Sequence, residues 1–167
     1  MLKGRLNRTN RELGIICFSQ NYTDPVQWAH YGDSHRGICL GFDVPVEKVF
    51  EVEYANCRTS GKEFKNSLTL KGHEYVQYML SRKHVHWRYE QEVRMIVPFA
   101  ERVMDDRLIF VPFNEDLSLK EIMLGVRCSA SLKKVKQQLG KDRHAFRVYK
   151  MEVSPTEYAV RIPQILP

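Results

Sequence analysis

The chain has 167 residues, 43% of them hydrophobic and 28% charged, with a net charge of +6. That length suits one domain, and that balance excludes a disordered chain and removes the need for a disulfide or metal staple. No stretch is apolar for long enough to cross a membrane, and residues 1–14 (MLKGRLNRTNRELG) lack the hydrophobic run of a secretory signal.

Residues 1–13 mix charges with Asn and Gly and are expected to form a flexible N-terminal segment. A single α+β domain is expected over 14–167, because no repeat, low-complexity tract or Pro/Gly/Ser linker interrupts it. Residues 14–19 (GIICFS) read as a buried strand, and Asp24-Pro25 as a turn leading into one or two helical turns at 26–31. Residues 37–43 (GICLGFD) read as a second buried strand. Residues 48–54 alternate, with Phe50, Val52 and Tyr54 on one face, and predict a half-buried strand. Apolar residues recur at helical spacing from Lys62 to Arg82, which predicts the main helix, weakened in its middle by Gly72. Residues 89–97 read as a strand with Glu90, Glu92, Arg94 and Ile96 on one face. Strands follow at 108–113 and 121–126. A short helix over 129–139 carries a Leu132/Val135/Leu139 stripe, with Ser129 as its cap and Gly140 as its stop. Strands at 146–153 and 158–162 complete an α+β fold. It has a mainly antiparallel sheet, one long mid-chain helix and a short helix in the C-terminal half.

The four cysteines, Cys17, Cys39, Cys57 and Cys128, form no C-x-x-C pair. Cys17 and Cys39 fall in apolar runs, which fits buried free thiols and a reducing cytoplasm. No ligand spacing supports a metal. His84-x-His86 has no third partner at a compelling distance, so no metal is expected. The basic excess favours acidic partners such as nucleic acid, nucleotides or anionic lipid. It is spread between Lys3, Arg5, Arg8 and Arg11 and the later Lys133, Lys134 and Lys136, a pattern that solvated faces explain better.

Two segments are dense in chemistry. Glu90 and Glu92, two apart on a strand, would point the same way about 7 Å apart and act together on one ligand, one as acceptor and one as base. Alternatively they are a solvated strand face with Arg94 paired to a neighbouring Glu. Trp28-Ala-His30-Tyr31 with His35-Arg36-Gly37 offers aromatic, histidine and arginine groups for stacking and hydrogen-bonding a nucleotide-like ligand. Alternatively Trp28 and Tyr31 are core residues and His30 is satisfied internally, the stronger reading for the aromatics taken alone.

The runs ICFSQN, WAHYGDSHRGICLGFD, KHVHWRYEQEVRMIV and IMLG resemble the bacterial family catalogued as domain of unknown function 2971, over residues 14–126. The E-Q-E-V run from Glu90 more distantly resembles the E-x-E-V strand of ADP-ribosyltransferases. That resemblance implies a catalytic Glu92 that stabilises the ribose cation as nicotinamide leaves. It implies that Glu90 orients the acceptor and that Phe18-Ser19 lies on the serine-bearing strand. NAD would be the substrate, bound near Ser19, Trp28, His30, Tyr31 and Arg94, with a protein or nucleic acid as acceptor and a role in bacterial conflict or stress as a toxin or defence protein. Those enzymes begin with a strand whose Arg or His grips NAD, and family members carry a segment before the CFS strand. Here about thirteen residues precede Gly14 and no such strand is visible, which leaves three alternatives: the chain lacks an N-terminal portion of the family domain, the site is incomplete with Arg5, Arg8 or Arg11 as substitutes, or the chemistry differs. A non-catalytic binding module of the same fold is the first alternative, separated by NAD consumption. A nucleic-acid binder or processing protein is the second, separated by salt-dependent binding. Ser19, His30 and Tyr31 are expected to line one cleft with Glu90 and Glu92.

Overall fold

The computed structural model describes residues 13–98, 103–105, 108–141 and 145–163. The segment expected to be flexible lies outside them apart from Leu13. The fold is α+β with mainly antiparallel sheets. The chain divides into two compact units, residues 1–20 with 45–112, and residues 21–44 with 113–167.

In the first unit, β1 (Leu13–Ser19) runs antiparallel to β6 (Glu92–Pro98), from Leu13 opposite Pro98 to Ser19 opposite Glu92. The short β3 (Val49–Glu51) lies on the other side of β6, also antiparallel. The alternation read at 48–54 holds in burial: Phe50 and Val52 are buried and Glu51 and Glu53 exposed. The expected continuous strand is nevertheless split. Val52 donates its N–H to the Glu92 carbonyl (3.1 Å), and the chain then leaves β6 to form β4 (Glu53–Ala55), parallel to β5 (Arg82–His84). A further antiparallel pair joins β7 (Val103–Asp105) to β8 (Leu108–Phe110).

The long helix expected over 62–82 is two helices, α2 (Gly61–Ser67) and α3 (Gly72–Leu80). A capping box of Ser60 and Glu63 starts α2. At its end the Ser67 and Thr69 hydroxyls donate to the Phe64 and Asn66 carbonyls (both 2.7 Å), a local bonding that competes with helix continuation. Gly72 has φ +52, a left-handed conformation that breaks a right-handed helix and that glycine adopts without a Cβ clash. Tyr75 and Val76 carry the buried face of α3.

The expected strand over 89–97 is also shortened. Residues Val85–Glu90 form a 3-10 turn, Gln91 takes a left-handed φ of +44, and only then does β6 begin. Gln91 donates its N–H to Arg88 (3.1 Å) and accepts from the Gln20 N–H (3.0 Å), which ties the turn to the end of β1.

In the second unit, α1 (Pro25–Tyr31) is started by Asp24, whose carboxylate accepts from the Val26 N–H at 2.7 Å, with Pro25 in the first turn where its missing donor costs nothing. The sheet has β9 (Ser118–Leu124) at its centre. It is antiparallel to β2 (Ile38–Asp43) and parallel to β10 (Arg147–Lys150). Its two faces feed two clusters. Met123 packs with Trp28, Met151 and Val160, whereas Ile122 and Leu124 pack with Val148 under Leu132, Val135 and Leu139. Those three residues are the stripe read from the sequence, carried by α4 (Leu132–Gln138). Its cap is Ser131, which accepts from the Lys134 N–H (3.2 Å), rather than Ser129. The strand expected at 146–153 breaks at buried Met151, which donates its N–H to Leu124 (2.8 Å); β11 (Glu152–Val153) then pairs with β12 (Val160–Arg161).

Candidate functional site

The face of the first unit around the start of β6 holds a compact ionic cluster. Residues directly opposed across an antiparallel pair share a face, and so do alternate residues along one strand. Ser19 opposite Glu92 and Cys17 opposite Arg94 therefore place four side chains on one surface. Glu92 is the centre. Its Oε1 accepts from Arg94 Nε (2.8 Å) and its Oε2 from Arg94 Nη2 (3.1 Å) and Lys83 Nζ (3.0 Å). Its own backbone N–H donates to the Tyr54 hydroxyl (2.8 Å). Lys83 also donates to Glu90 Oε2, and Arg94 to the Leu80 carbonyl.

The carboxylates are nearly dry, with 6% of the Glu90 side chain and 5% of that of Glu92 exposed. Burial opposes charge on Glu92, but hydrogen bonds from Arg94, Cys17 and Lys83 outweigh it and hold the carboxyl at about 2. The Cys17 thiol moves the other way. Desolvation of its sulfur and the Glu92 carboxylate push it up to about 11. Glu92 is thus a fixed negative charge at neutral pH and a poor proton acceptor, since an effective general base has a pKa near the working pH. The arrangement suits electrostatic stabilisation of a cation better than proton transfer.

Beside the cluster, Lys83 lies over the Trp87 ring, 4.9 Å from its centroid. The His84 and His86 rings meet edge to face at 4.5 Å. Among the described residues, no group of three or more His, Cys, Asp or Glu side chains could hold a metal ion.

The second dense segment belongs to the other unit. Trp28 is a core residue there, 4% exposed, with its indole N–H donating to the Tyr22 carbonyl (2.7 Å). His30 and Tyr31 are exposed and meet edge to face at 6.2 Å. The following loop holds Asp33, Ser34 and His35 at φ +45, +52 and +68, a run of left-handed non-glycine residues. Such residues are costly and persist where surrounding bonds fix them. Here the Ser34 and His35 N–H groups donate to Ala29 and Trp28, and the His35 carbonyl accepts from Arg127 (2.9 Å). The His35 ring stacks on Trp28 at 6.4 Å.

Residues 27–95 match the model of a family described as a protein of unknown function (DUF2971), which supports the resemblance carried by the WAHY and W-x-Y-E-x-E-x-R motifs. Neither curated proteins nor solved structures gave a match.

The structure therefore joins Ser19, Glu90, Glu92 and Arg94 within one unit, and places Trp28, His30 and Tyr31 in the other. Glu90 reaches the cluster from the 3-10 turn, not from the strand face that alternation predicts. Lys83 and Tyr54 had no sequence signal of their own. A general one existed: two carboxylates withdrawn from water require a cation, and Lys83 lies seven residues from Glu90 and nine from Glu92. Of the two thiols read as buried, Cys39 is half-buried and Cys17 is exposed as a residue, since it lies on edge strand β1, although its sulfur turns toward Glu92 and is partly desolvated there. All four cysteines are free.

Proposed function

We propose that the chain is a nucleotide-binding domain of ADP-ribosyltransferase type that takes NAD as substrate and serves in bacterial conflict or stress. One observation carries this reading: Ser19 stands directly opposite Glu92 in the β1–β6 register. The serine and glutamate that such an enzyme would use on one ligand are then level on adjacent strands and share a face. The low pKa of Glu92 supports the role assigned to it. As the glycosidic carbon–nitrogen bond breaks, its electron pair leaves with nicotinamide and positive charge develops on the ribose. An ionised carboxylate meets that charge without gaining or losing a proton. The acceptor then adds to the ribose carbon and releases its own proton, with Glu90 orienting it.

A second reading rests on the same cluster. Arg94 and Lys83 already neutralise Glu92, which favours a binding module that keeps the fold without turnover. Incubating the full chain with NAD and measuring nicotinamide release and NAD binding separates the two. On the first reading Glu92→Gln lowers NAD cleavage by about 10²–10³, the loss typical when one charge-stabilising group is removed. NAD binding without cleavage selects the module. A chain that neither binds nor cleaves NAD, or that cleaves it equally well with Gln at 92, defeats the transferase reading.

A further inference from the structure

Glu92 is held by two cations of different kinds. Arg94 grips both carboxylate oxygens with Nε and Nη2 and anchors Nη1 on the Leu80 carbonyl. A guanidinium fixed at three points is part of the framework. Lys83 arrives from β5 on a four-carbon stem, and its single ammonium bridges Glu90 and Glu92. Its side chain is 23% exposed, so an outward path to water is open. The same ammonium lies over the Trp87 ring, and Trp87 is 38% exposed.

Two dry carboxylates beside an aromatic face are the parts with which proteins hold organic cations. Here they hold a cation of the chain itself. We propose that Glu90, Glu92 and Trp87 form a site for a planar organic cation, which Lys83 fills in the resting chain and vacates when a ligand enters. The exchange is electrostatically balanced. Removing Lys83 alone would take one cation from both buried carboxylates and leave Glu92 to Arg94, whereas replacing its charge with a ligand's keeps them neutralised while the ammonium regains its hydration. A flexible, strongly hydrated ammonium suits a removable occupant better than a forked guanidinium does. Trp87 gives the ligand a ring to stack on, which favours a pyridinium or guanidinium group over a metal ion. The site deepens the transferase reading, because the nicotinamide end of NAD is such a cation and would have to displace Lys83 to reach Glu92.

The test uses the full chain labelled with ¹⁵N-lysine, 1-methylnicotinamide and ethylguanidinium as probes, and constant ionic strength. A Lys83 ammonium clamped between two carboxylates gives an exchange-protected signal, assigned by its loss in Lys83→Met. Either probe should move that signal to the position of solvated lysines, with 1-methylnicotinamide effective if the pyridinium end is what the site accepts. Lys83→Met should bind the effective probe about tenfold tighter, the gain expected when a competent state populated at roughly one part in ten becomes the only one. A Lys83 signal unmoved at the highest soluble concentration of both probes overturns the proposal. So does a folded Lys83→Met that binds no tighter. If that variant fails to fold, the wild-type signal decides alone, assigned by triple resonance. Displacement of Lys83 by the probes without NAD cleavage leaves this site standing and removes the transferase reading. NAD cleavage with Lys83 unmoved by NAD does the reverse.

Discussion

Arg94 and Glu92 form a pair whose halves cannot be removed singly without penalty. Arg94→Met leaves Glu92 nearly dry with Lys83 as its remaining ionic partner. Breaking a buried pair in this way costs about 3–5 kcal/mol; denaturant unfolding of the variant should show a loss of that size, and a change under 1 kcal/mol would mean the pair is solvated. The pH dependence follows from the depressed Glu92 pKa. The group sits at about 2 in the folded chain against 4.5 as the ordinary value, so its contribution is complete above the ordinary value and is lost as pH falls toward the folded one. Acid unfolding of the wild type should therefore include a decline across that window, and Glu92→Gln should flatten it. Glu90 and Glu92 were legible as a pair because two carboxylates two residues apart share one face of a strand and need an explanation there. Their cations were not, because Lys83 meets them across a turn, where no periodicity links residue to residue.

At the level of elements, alternation and helical spacing located the strands at 14–19 and 37–43 and the stripe of α4. They misjudged where elements stop, since stops depend on partners and on single backbone angles. Val52 and Glu53 show the first cause: the side-chain pattern continues, yet the backbone passes from β6, where Val52 bonds Glu92, to β5, which pairs with Glu53. Gly72 shows the second, and its role can be separated from packing. Nothing lies within 4 Å of a Cβ built there. Gly72→Ala should therefore cost about 1–2 kcal/mol, the penalty of a left-handed L-residue, measurable as a shift in urea midpoint. Gly125→Ala is the contrasting case. Its Cβ would meet the His35 carbonyl oxygen at 2.2 Å, so backbone of the left-handed Asp33–His35 loop must move. Its cost should exceed that of Gly72→Ala. Comparable values would show that the loop yields easily.

Across the whole molecule, each unit is assembled from two separated stretches, and the chain passes between units near residues 20, 44 and 112. Nothing in the composition marks those crossings, because a boundary defined by contacts between distant stretches needs no Pro- or Gly-rich linker. The expectation of α+β architecture survived because it depends on the number and kind of elements. The partition into units was illegible because it depends on which elements meet.

That interleaving fixes a schedule for a chain emerging from the ribosome. The strand Ile38–Asp43 pairs with Ser118–Leu124, so an apolar ICLGF run must wait while roughly 75 further residues are made; at about 5–20 residues per second that is several seconds. During the wait its edge is unpaired, and Ile38 and Leu40, exposed even in the finished fold, add an apolar face to that edge. Closing so long a loop is slow, and an exposed strand is prone to pair with another chain. The Glu92 strand can meet Leu13–Ser19 as soon as residue 98 is out, before its neighbour unit is complete. Truncated nascent chains should therefore protect the amides of Leu13–Ser19 from hydrogen exchange earlier than those of Ile38–Asp43. Chaperone-depleted synthesis should yield aggregates nucleated by residues 38–43, and replacing solvent-facing Leu40 with Lys should reduce them.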